Sequence, residues 1–130
     1  MLTISREKVC FVVVKVRELN VKVEPEELYD DADDVERILE DYADDSTYQE
    51  IREFLEALDD DELGELLALT WVGRGDYPAN EWQTAVNAVR DTREKHIVGY
   101  LLGTPLLADY LEEGLSQFGQ SCEEFEIGRM

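Results

Sequence analysis

The sequence predicts an all-α protein, a compact bundle of about five to six helices in a single domain. Three observations carry that prediction. Apolar residues recur at i, i+3, i+4 and i+7 through most of the chain, which places them on single helical faces. Acidic or hydroxyl residues stand ahead of several of these runs with a glutamate three positions later, the pattern that caps a helix start. Three prolines, Pro25, Pro78 and Pro105, and a few glycines punctuate the runs.

Taken in order, the stretch 8–19 is rich in β-branched residues and reads either as a strand or as a helix. We favour the helix. A lone strand would have no partner in a helical chain, whereas Val9, Val12, Val13, Val16 and Leu19 keep helical spacing and Ser5 can cap the start. So wide an apolar surface suggests a central position or an oligomer contact. Next, Val35, Ile38, Leu39 and Tyr42 share a face behind Asp33 and Glu36. Thr47 and Glu50 form a candidate capping box for a helix bearing Tyr48, Ile51, Leu55 and Leu58. Asp59 and Glu62 repeat the signal ahead of Leu63, Leu66, Leu67, Thr70 and Trp71, and Gly73 is placed to end that helix with a positive φ. Trp82, Val86, Val89, Arg93, Ile97 and Tyr100 trace one long helix that Gly103 terminates. Thr104 as N-cap and Pro105 at the first helical position restart the chain, and Leu107, Tyr110, Leu111, Leu115 and Phe118 face inward from the last helix. The expected domain is therefore 1–118, followed by a flexible acidic tail at 119–130.

The net charge is −20, and 19 of the 32 acids fall in 24–62 against only Arg37 and Arg52. Such a charge repels nucleic-acid phosphate and anionic membrane, so neither is an expected partner; it suits a basic partner or plain solubility. No window is apolar enough to span a bilayer, and Lys8 and Lys15 bracket the N-terminal apolar run, which fails as a secretory signal. A cytoplasmic setting is the expectation. Cys10 and Cys122 are then expected to be free thiols, since two cysteines make neither a disulfide framework nor a four-ligand zinc site.

Two loops hold the candidate binding residues. In WVGRGDYP (71–78) Arg74 lies between two glycines, close to Trp71, Asp76 and Tyr77, so a bidentate donor could be presented to a carboxylate or phosphate. The competing and favoured reading is a structural corner with Arg74 paired to Asp76 or Asp109. In LGTPLLADY (102–110) a helix start at Thr104 could take an anion, although a tight helix-to-helix turn accounts for Thr104 and Pro105 better. Gly99 and Gly103 would admit a close neighbouring helix. His96, the single histidine, lacks the converging ligands that a metal needs, and the aspartates of 30–34 lack the spacing and central glycine of a calcium loop. No phosphate loop, nucleophile elbow or triad occurs, so catalysis is unsupported and neither metal nor cofactor is expected.

The stretches KVCFVVVKVRE (8–18), LEDYADDSTYQE (39–50), LLALTWVGRGDY (66–77) and YLLGTPLLADYLEEGL (100–115) resemble the bacterial domain-of-unknown-function family 3775. The resemblance leaves out roughly 21–34 and the tail. It implies a bacterial, cytoplasmic setting and assigns no activity to any residue.

Three functions follow as expectations. The first is a non-catalytic module that binds another protein or itself, for which an excess of large apolar residues in a small chain argues. The second is an acidic surface in 24–62 that imitates nucleic acid or engages a basic partner. The third is a small-ligand or enzymatic site, which requires Arg74, Asp76, His96 and Asp109 to converge on one pocket.

Overall fold

The computed structural model describes residues 3–22, 46–92 and 96–122, and the expected helix around Val35 to Tyr42 lies outside them. Among the described residues there are six α-helices and no strand: α1 (Arg6–Lys22), α2 (Ser46–Ala57), α3 (Asp60–Arg74), α4 (Trp82–Thr92), α5 (Ile97–Leu102) and α6 (Leu107–Gln117), with a 3-10 turn at Ala79–Glu81 ahead of α4. The all-α single domain expected from the sequence is what forms.

The strand-or-helix ambiguity of 8–19 resolves as helix. Val9, Val12, Val13, Val16 and Leu19 are all buried, and the Ser5 hydroxyl accepts the Lys8 N–H at 3.2 Å. Yet α1 is not the centre. That place belongs to α3, which packs against α4, α5 and α6 and buries every residue from 65 to 70 together with Val72. A helix buried nearly all round must sit between layers. Around it, α1 packs on α6 and α2, and α5 rests on α2 and α3. Phe11 and Phe54 join α1 to α2 with ring centroids 4.4 Å apart, and Trp82 meets Phe118 edge-on at 5.3 Å.

Two close approaches set how α3 and α6 cross. A Cβ on Gly73 would stand 1.7 Å from the Tyr110 carbonyl oxygen, and one on Gly114 would stand 2.7 Å from that of Leu69. Each glycine lets the partner backbone lie directly on the helix. Gly73 therefore works inside α3 and does not end it as the sequence suggested. Gly75 does, with φ 98°: its N–H bonds the Val72 carbonyl at 3.1 Å and the Asp76 N–H bonds that of Trp71 at 2.9 Å, a Schellman closure. The start of α3 is as expected, with Asp59 accepting the Glu62 N–H and the Glu62 carboxylate accepting the Asp59 N–H.

Three other expectations change. α2 opens at Ser46, so Thr47 lies within its first turn, and Glu50 pairs with Lys15 of α1 at 2.9 Å. Glu50 first, then Glu18, hold the Lys15 ammonium pKa above its ordinary value against the opposing effect of burial. The long helix through 82–100 is two helices. Residue 96 leaves helical geometry at φ −122°, ψ 44°, and α5 beyond it packs on α2 and α3. Gly103 caps α5 as expected, but Thr104 does not cap α6. Its hydroxyl donates to the Tyr100 carbonyl at 2.7 Å, closing α5, and α6 starts only at Leu107 after Leu106 takes a positive φ of 61°.

The N-terminus is tied down by a buried acid. Glu65 of α3 accepts the backbone N–H of Thr3 at 2.7 Å, that of Ile4 at 3.3 Å, and the Thr3 hydroxyl, while Glu62 pairs with Lys8. At the other end the expectation of two free thiols fails. Cys10 and Cys122 form a disulfide with Cα atoms 5.5 Å apart, inside the range a bridge requires. Residues 112 positions apart meet because α1 packs on α6, and the turn at Gly119 brings the chain back toward α1. Sequence spacing carries no trace of that proximity.

Candidate functional site

The end of α3 presents four of the candidate residues together. Trp71 lies one turn before the helix end, Arg74 is its last residue, and Asp76 and Tyr77 follow the Gly75 cap. The Arg74 guanidinium meets one Asp76 oxygen with Nε at 2.8 Å and Nη2 at 2.6 Å. Burial lowers the Arg74 pKa, but its hydrogen bonds to Asp76 and Tyr100 outweigh it and leave the value raised. The edge of the guanidinium that would grip a ligand's carboxylate is thus taken by a neighbour two residues away. Trp71 and Tyr77 stack loosely beside it, centroids 6.1 Å apart and planes tilted 31°. The Trp71 indole Nε1 is buried without a hydrogen-bond partner among the described residues.

Tyr100 completes this corner, and sequence reasoning did not place it there. It is the one exposed large hydrophobic among the described residues, at 39% exposure. Helical periodicity puts it on an inward face, because one continuous helix through 82–100 would carry it there. The break near residue 96 turns it outward.

The remaining candidates fall elsewhere. Thr104 is engaged with the Tyr100 backbone carbonyl. His96 is exposed at the boundary of α5, one turn ahead of Tyr100. Asp109, on the outer side of α6, pairs with Arg17 of α1 at 2.9 Å and not with Arg74. Of the four residues that the enzymatic reading needs, Asp76 meets Arg74 while Asp109 pairs with Arg17.

Asp109 instead borders a polar cleft of about 430 Å³ that the sequence did not reveal, lined by Arg17, Asp109, Glu112, Ser116, Gln120 and Cys122 among others. Arg17 crosses it, donating to both Glu112 and Asp109. The Glu112 hydrogen bond chiefly raises the Arg17 pKa, burial opposes it, and Asp109 adds to the rise. The cleft joins α1, α6 and the chain beyond α6, segments so far apart in sequence that only the packed fold defines it.

Among the described residues no group of three or more His, Cys, Asp or Glu side chains could hold a metal ion, and no helix is long and apolar enough to cross a membrane. The described part of the acidic stretch is largely engaged in internal contacts: Glu50 with Lys15, Glu56 with Arg52 at 2.8 Å, Glu62 with Lys8, and Asp59 in the cap of α3.

No curated protein and no solved structure matches the chain. The model of a family described as a protein of unknown function, 3775, matches residues 48–120, from the first turn of α2 to just beyond α6. Two of the stretches that carry the resemblance, 8–18 and most of 39–50, lie outside that match. Because the match takes in the α3 corner and covers over half of the 130 residues, the chain belongs to the domain-of-unknown-function family 3775.

Proposed function

We propose that this chain is a non-catalytic protein-interaction module of the bacterial cytoplasm, and that it docks its partner, another protein or a second copy, on the corner formed by Trp71, Arg74, Tyr77 and Tyr100. The observation that carries the reading is Tyr100. At 39% exposure it is the one large hydrophobic among the described residues that reaches the surface to this extent. It also lies near enough to Arg74 to help raise that guanidinium's pKa, at a corner shared with Trp71 and Tyr77. Trp, Tyr and Arg are the residue types enriched among those that dominate binding energy at protein interfaces.

The test places a photo-crosslinking side chain at Tyr100 and follows the native chain by sedimentation velocity at increasing concentration. The expected result is one discrete adduct, with the chain itself or with one protein of the host cell, that weakens at least tenfold when Arg74→Ala or Tyr77→Ala is added. A chain that sediments as a monomer throughout and gives no discrete adduct would refute the reading.

A further inference from the structure

We propose that the Cys10–Cys122 bridge is a reversible redox latch, exchanged by a dithiol–disulfide couple, that closes residues 119–122 over the α1–α6 cleft when oxidised and releases them when reduced, leaving the helical core folded. The inference is independent of the interaction reading above. It stands on the different ways the two cysteines are held.

Cys10 is part of the core. It is fully buried on α1 beside Val9, Val12 and Val13, which are buried through their own packing. A reduced Cys10 would remain there as an ordinary small apolar residue. Cys122 is buried too, at 3% exposure, but it lies past the end of α6 and no helix holds it. The last bonds derived from α6 end at Gly119, whose N–H reaches the Ser116 carbonyl, and Gln120, whose N–H reaches that of Leu115, both at 2.9 Å. Beyond them the described residues offer Ser121 and Cys122 no hydrogen-bond partner, so the sulfur–sulfur bond is the anchor of this segment. Opening it unties one end and spares the other.

The same segment walls the cleft. Gln120, Ser121 and Cys122 face Arg17, Asp109 and Glu112 across it, so whether the latch is closed decides whether the cleft has that wall. Access also fits exchange through local opening. Both cysteines are buried in the closed form, Cys122 at 3% exposure, but Cys122 lies a few residues past a helix end, where fraying costs least.

The chemistry balances as thiol–disulfide exchange. A thiolate of an external dithiol attacks the Cys122 Sγ, the bond between the two cysteines breaks, and Cys10 leaves as a thiolate that takes a proton from solvent. The second thiolate of the reagent then attacks the mixed disulfide and frees Cys122, which is protonated in turn. The protein gains two electrons and two protons, and the dithiol becomes a cyclic disulfide.

The experiment treats the native chain with dithiothreitol in the absence of denaturant. It counts alkylated thiols by mass, follows helix content by circular dichroism, and maps amide exchange. Both thiols should appear, with Cys122 alkylated at least tenfold faster than Cys10. Protection should be lost at the Gly119 and Gln120 amides, the last that are hydrogen-bonded, and kept in α1, with helix content unchanged and the oxidised pattern restored by oxidised dithiothreitol. Cys122→Ser should reproduce the reduced exchange pattern without any reductant. A bridge that resists reduction until the chain unfolds would overturn the proposal, as would reduction that strips protection from α1 or cysteines already free in protein isolated without reductant.

Discussion

Replacing Gly73 by alanine should pull apart the two most extensively packed helices. The added methyl would stand 1.7 Å from the Tyr110 carbonyl oxygen, 2.6 Å from its carbon and 3.0 Å from the Gly114 nitrogen. All three are backbone atoms, so no rotamer change makes room. Reaching ordinary contact takes ~1.5 Å of extra separation at the crossing, and a gap of ~0.5–1 Å already forfeits about a quarter to a half of each atom pair's attraction. Leu69, Leu111 and Leu115, all fully buried, would share that loss. Overpacking costs ~1–3 kcal/mol, and a clash with rigid backbone belongs at the top of that range, about 3 kcal/mol. At roughly 2.1 cal/mol/K of unfolding entropy per residue over 130 residues, Tm should fall by about 11 °C. The control lies in the same helix. A Cβ on Gly64 would meet only Val89 Cγ1 at 3.6 Å, an ordinary contact. Gly64→Ala should therefore raise stability by about 1 kcal/mol through helix propensity and Tm by about 4 °C. Thermal unfolding of the two variants by circular dichroism decides the matter, and shifts of the same sign would refute the crossing described here.

Glu65→Gln leaves a single acceptor oxygen for three N–H and O–H donors, so stability should fall by about 2 kcal/mol in urea titration, with protection lost first at the Ile4 amide. Gly75→Ala meets open space and acts through backbone strain alone, since φ is 98°; the expected cost is ~1–2 kcal/mol, with Gly75→Asn intermediate, read by the same titration. Lys15 has a pKa raised above 10.5 by Glu50 and Glu18, so its stabilisation is fully present below pH 10.5 and is lost as pH climbs through the raised value. Lys15→Met should flatten that alkaline loss in a pH series of denaturation midpoints.

Most of the fold is legible in the sequence because helical burial is a local property. The spacing of Val9 to Leu19, of Tyr48 to Leu55 and of Leu63 to Trp71 each marks a buried face of one helix, and the Asp59–Glu62 box depends on residues three apart. Sequence and structure part where the deciding contact is distant. Gly73 follows the last apolar residue of its run and so looks like the residue with positive φ, but the Tyr110 backbone occupies its open side and Gly75 two residues on makes the turn. The break near residue 96 is hidden too, because the apolar rhythm runs on through it while α5 packs on the distant α2 and α3. The disulfide and the Arg17 cleft depend on contacts between residues some ninety or more positions apart, which no window of sequence contains.

The candidate site is legible in a different sense. Nearly every unusual residue of the two motifs has a structural role inside the fold. Gly73 and Gly114 serve the helix crossing, Gly75 the Schellman closure, Asp76 holds Arg74, Thr104 closes on the Tyr100 carbonyl, and Asp109 pairs with Arg17. Setting those roles aside leaves the Trp71 indole N–H and the Tyr100 ring as features that packing does not explain. A side chain needed for the fold costs stability when truncated, whereas one kept for a partner does not, and surface substitutions away from structural features stay within about 0.5 kcal/mol. Tyr100→Ala should therefore leave the unfolding midpoint nearly unchanged while weakening association. If instead it destabilised the chain by more than about 1 kcal/mol, its contact with Arg74 would be a structural one and the corner would lose its claim as a docking surface.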